Sequence, residues 1–90
     1  MGKTRTFDGV TADIFECVKQ TSKKDHDTDY TPGNKGTATT SVPVLGKVVM
    51  EFDFNAADKT VTYTIAEKPF MVPQNKIWSG IKETIEGCSG

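Results

Sequence analysis

Histidine and tryptophan each occur once in these 90 residues and cysteine twice; leucine occurs once, as Leu45. Scarcity of this kind excludes several chemistries. One histidine cannot be both a ligand set and a general base, and neither H-E-x-x-H, G-x-S-x-G nor a phosphate-cradling glycine loop occurs. Two cysteines are too few for a disulfide framework, and no Cys-x-x-Cys is present. Apolar runs stop at about five residues against the roughly 20 needed to cross a bilayer, so no membrane span is expected. Charge of one sign is missing too. With 11 basic and 12 acidic residues the net charge is -1, which offers no footprint for nucleic acid. The composition points to a non-enzymatic protein without a cofactor.

What is present is an ordinary globular balance, 36% apolar and 26% charged. A chain this short has room for one core, so residues 1–90 are expected to form a single domain. Valine, isoleucine and phenylalanine replace leucine as core formers, which favours strands packed by a few helices. The start MGKTRTFDG is basic but has no apolar segment behind it, so the expectation is a cytoplasmic protein. MGKTRT also fits the loose pattern for acylation of Gly2, for which an ordinary start is the simpler reading.

The clearest pattern is GKVVMEFDFNAADKTVTYTI, residues 46 to 65. Val48, Met50, Phe52 and Phe54 alternate with Lys47, Glu51 and Asp53 on one arm, Val49 being the exception, and Val61, Tyr63 and Ile65 alternate with threonines on the other. Period two on both sides of a turn predicts an antiparallel hairpin. With Asn55 facing Asp58, Phe52 meets Val61, Met50 meets Tyr63 and Val48 meets Ile65. A slip of one residue would expose half of that set.

Two amphipathic helices are predicted to cover the apolar face. The first begins near Thr11 in GVTADIFECVKQTSKK, with Thr11 as N-cap, Asp13 in the first turn, and Val10 and Phe15 at the spacing of a hydrophobic staple. The second lies in PQNKIWSGIKETIEGC, where Ile77, Ile81, Ile85 and Cys88 form a stripe, Trp78 widens it, and Gly87 with Gly90 ends the helix. Gly80 inside it costs about 1 kcal/mol relative to alanine and is expected to permit a close approach to the sheet.

Between the first helix and the hairpin, residues 24 to 36 are polar and rich in turn formers, and are expected to be a mobile loop. Threonine-rich GTATTSV, residues 36 to 42, reads as an edge strand followed by a tight Pro43 to Gly46 connection. The predicted fold is α+β in the order helix, strand, strand, strand, helix, an antiparallel meander with both helices packed on one face.

Three groups are candidate sites. Asp25, His26, Asp27 and Asp29 in KDHDTDY form a weak candidate for a divalent metal. A calcium loop counted from Asp25 would need glycine and glutamate where Tyr30 and Gly36 stand. Cys17 and Cys88 both fall on apolar helical faces, where they are either two buried thiols or a bridge. Phe70, Met71 and Trp78 gather where the sheet hands over to the last helix. Core packing explains such a group; an adaptable methionine beside large aromatics also suits a binding surface for a protein partner or a small apolar molecule. Oligomeric state is not readable from the pattern. A small binding module is the leading expectation, with weak divalent-metal binding at residues 25–29 as the alternative.

Overall fold

A computed structural model describes residues 3–89; Gly2 and Gly90, named above for acylation and for the helix end, lie outside them. The described residues form β1 (Thr4–Asp8), α1 (Ala12–His26), β2 (Thr28–Tyr30), β3 (Lys35–Val42), β4 (Gly46–Asn55), β5 (Thr60–Glu67) and α2 (Gln74–Ser89). The strands make one antiparallel sheet in the order β1-β5-β4-β3-β2. The fold is α+β. Val10 beside α1, Phe15 and Val18 of α1, and Trp78 and Ile85 of α2 share one core with the inward residues of the sheet, so both helices lie on one face.

α1 starts as its sequence demands. Thr11 is extended and its Oγ1 accepts the Ile14 N–H at 3.2 Å, satisfying one of the unpaired donors of the first turn. Val10 and Phe15 are both buried. The Phe15 ring then stacks on Phe54 at 4.5 Å and leans on Phe52 and Tyr30.

The hairpin forms in a register two residues away from the predicted one. Phe52 pairs with Tyr63, Met50 with Ile65 and Phe54 with Val61, and residues 56–59 are the loop. A slip of two leaves every side chain on its face, so burial alone does not separate the two registers. Turn chemistry does. Asn55 accepts the Asp58 N–H through Oδ1 and donates to the Asp58 carboxylate through Nδ2, each at 3.1 Å, and Lys59 takes a left-handed φ of 57°. In this register Phe54 meets Val61; in the predicted one it would have met Lys59. An irregularity between Val49 and Met50 ends the regular ladder.

Two strands go beyond the predicted meander. β1 pairs with β5, and its Thr4 and Thr6 hydroxyls hydrogen-bond those of Thr64 and Thr62 on the outer face. Its one large inward apolar residue is Phe7, too weak a signal to mark a strand locally. β2 arises within the segment expected to be a loop: residues 24–26 finish α1, Thr28–Tyr30 pair with β3, and residues 31–34 are all that connect them. β3 is therefore interior, and the edges are β1 and β2. Gly36 faces Thr31 across the short β2–β3 connection, where a Cβ would collide with the Thr31 hydroxyl.

α2 runs through Gly87 to Ser89 and does not stop at the glycine. At Gly80 the expectation of close approach is overturned. A Cβ at that position would meet nothing within 4 Å, so the helix spans open space.

Candidate functional site: a cleft between sheet and helices

That space is a cleft of about 200 Å³ between the sheet and the helices, open on one side. The inward faces of β3 and β4 supply Val42, Val48 and Met50, α2 supplies Ile77 and Ile81, and Val72 comes from the loop before α2. Gly80 contributes the floor that a side chain would otherwise fill.

Hydroxyls line the same cleft. Ser22, Thr28, Tyr30, Thr40 and Thr84 all reach it. Thr28 and Thr40 face each other across β2 and β3 with their oxygens 2.7 Å apart. Thr84 donates back to the Gly80 carbonyl at 2.8 Å, a bond that keeps its hydroxyl at the helix surface. Each hydroxyl has two lone pairs and one proton, so one protein partner leaves capacity for another. Among the described residues no aspartate or glutamate lines the cleft, whereas His26 and Lys76, both exposed, do.

Behind this wall Tyr30 and Tyr63 hydrogen-bond through their hydroxyls at 2.8 Å. Tyr63 is fully buried. Desolvation is the main cause that raises the pKa of both phenols above the ordinary range; for Tyr30 the bonds to Tyr63 and Ser22 oppose it. The pair is a neutral polar link in the core.

Of the residues singled out from sequence as candidate sites, His26 alone lines this cleft. Asp25 and His26 end α1, Asp27 is its C-cap in the left-handed region, with φ 54° and its N–H donating to the Ser22 carbonyl, and Asp29 lies exposed on β2. A helix end turning directly into a strand separates the four side chains. Among the described residues no three histidine, cysteine, aspartate or glutamate side chains are grouped to hold a metal ion, so the geometry lends the metal reading of residues 25–29 no support. Aspartate is there because it tolerates the left-handed cap.

Phe70, Met71 and Trp78 separate as well. Trp78 is 5% exposed and packs on Phe7 with the Arg5 guanidinium 5.8 Å from its ring; it is core. Phe70 and Met71 are 91% and 62% exposed. Cys17 and Cys88 are joined in a disulfide with Cα atoms 5.8 Å apart, which ties α1 to α2 beside Thr21.

The cleft residues carried two sequence signals. Thr28 and Thr40 occupy inward positions of strands whose other inward residues are apolar, and a glycine interrupts the α2 stripe. The glycine is legible in the sequence, whereas the inward threonines are not until the strand pairing is known.

Neither a family model, nor a curated protein, nor a solved structure matches this chain. The reading below therefore stands on the geometry of this chain alone.

Proposed function

We propose that the protein is a small binding module whose ligand is an apolar small molecule with a hydrogen-bonding group, held in the cleft between α2 and the sheet. The observation that carries this reading is the convergence of six aliphatic or thioether side chains and five hydroxyls on one hollow of about 200 Å³. Binding sites of small molecules combine an apolar wall with a few placed polar groups. An apolar cavity of about 150 Å³ accepts benzene, so the size suits a single ring or a short chain. With His26 and Lys76 at the cleft and no carboxylate side chain lining it among the described residues, a neutral or anionic polar group is favoured over a cationic one.

The Cys17–Cys88 bridge supports a setting that is oxidising, in place of the cytoplasmic one the sequence suggests, because reducing compartments keep thiols apart. Among the described residues no helix is long and apolar enough to cross a membrane.

The test is titration with a panel of single-ring and short-chain alcohols, acids and amines, read by methyl NMR. Shifts clustered on Val48, Met50, Ile77 and Ile81 that disappear in Gly80→Met support the site. A panel that moves none of these methyls, or moves them equally in Gly80→Met, refutes it. Trp78 does not line the cleft, so its fluorescence is a poor reporter.

A further inference from the structure

Among the described residues, the exposed large hydrophobic side chains are Val44 (104%), Leu45 (39%), Phe70 (91%) and Met71 (62%). All four belong to two connections, β3 to β4 and β5 to α2. These connections are neighbours: Leu45, Gly46 and Lys47 share a surface hollow with Glu67, Lys68 and Pro69, and a Cβ on Gly46 would lie 3.9 Å from the Pro69 ring. One end of the molecule therefore carries two apolar tips side by side.

The Val44 tip is held at a conformational cost. Leu45 N–H donates to the Val42 carbonyl at 3.2 Å, closing a turn with Pro43 second and Val44 third. Proline fixes a negative φ at the second position, and Val44 has a φ of 72°, so the turn is of type II, whose third residue is ordinarily glycine or asparagine. A β-branched side chain at that position is strained, and this one is also fully wet. Neither packing nor backbone geometry accounts for a valine here.

We infer that these two tips insert into the surface of a lipid bilayer. Four exposed side chains on two turns fall well short of the about 800 Å² per partner that a stable protein interface buries, whereas binding at the headgroup boundary scales with the apolar area inserted and adds attraction to anionic lipid. Lys47 and Lys68 flank the tips against one acid, Glu67, and Lys76 lies at the cleft nearby, a local cationic excess in a chain of net charge -1. Anionic headgroups complement it. Val42 and Val72, which adjoin the tips in sequence, line the cleft, so insertion brings the mouth of the cleft toward the lipid. The inference does not rest on a ligand occupying that cleft.

The experiment is co-sedimentation of the disulfide-bonded protein with phosphatidylcholine vesicles, with and without phosphatidylserine, together with Phe70→Ser, Val44→Ser and the double variant. Both substitutions are at exposed positions and leave the core intact. The wild type is expected to bind vesicles, more strongly with phosphatidylserine, and the double variant to lose roughly tenfold or more in affinity. Absence of binding to both vesicle types overturns the inference, as does equal binding by wild type and double variant. A concentration-dependent dimer in sedimentation velocity that the double variant abolishes would assign the tips to a second copy of the chain and overturn it too.

Discussion

Gly80→Ala is the substitution that most directly examines the cleft. Gly80 is in the middle of α2, in ordinary helical conformation, and a Cβ there would have no neighbour within 4 Å. One term then remains. Helix propensity favours alanine over glycine by about 0.8–1.0 kcal/mol, and no overpacking opposes it. For a domain of this size 1 kcal/mol moves the midpoint of thermal unfolding by about 4–8 °C. Urea and thermal unfolding followed by circular dichroism should therefore show Gly80→Ala to be more stable than wild type by close to this amount. Gly87→Ala, also in α2 with open space around it but absent from the lining of the cleft, is the control. It should gain stability near the helix end while leaving ligand shifts at Val48 and Ile81 unchanged. A midpoint that falls in Gly80→Ala would mean that the helix backbone lies close on the sheet at this point, and that no usable space exists there.

Three further outcomes are expected. Removing the Cys17–Cys88 bridge, which spans 71 residues, by Cys17→Ser with Cys88→Ser should cost about 4 kcal/mol in denaturant unfolding, because the unfolded chain regains loop freedom; a loss below about 1 kcal/mol would show that the link between α1 and α2 contributes little. Val44→Gly should raise stability by about 1 kcal/mol through relief of the positive φ and weaken vesicle binding at the same time, and a variant less stable than wild type would refute the strained-turn argument. Burial holds the folded pKa of Tyr30 and Tyr63 above the ordinary value of 10.0. Stability from this source is complete below pH 10; above it the unfolded chain sheds phenolic protons that the folded chain keeps, so stability falls as pH rises, by up to about 1.4 kcal/mol per pH unit per phenol. These are the only two tyrosines, so phenolate absorbance should appear together with unfolding in an alkaline titration, and its appearance in the folded protein would contradict the buried pair.

Thr11, Val10 and Phe15 define the start of α1 from sequence, because a cap and a staple are contacts between near neighbours. The alternation across β4 and β5 likewise assigned each side chain to its face, and with the two helical stripes this was sufficient for an α+β fold. A period of two assigns faces but leaves a slip of two residues undecided. The observed register follows from the Asn55 and Asp58 contacts in the loop and from what lies opposite Phe54. Among the predicted site residues, Phe70 and Met71 are on the surface as a binding role would need, while Trp78 went to the core because Phe7, far away in the chain, supplied a wall for it.

By itself, then, the order of residues determined the two helices, the extended segments from residue 36 to 65 and which side of each is oily, since these depend on neighbours within a few positions; β1 and β2 were left to their pairing partners. Tertiary structure decided the rest: Thr4 reaching Thr64, Thr28 reaching Thr40, Cys17 reaching Cys88, and the hollow beneath Gly80. Such pairings depend on which edges and faces are still open once the hairpin and helices have met, a competition among distant segments that no local window contains.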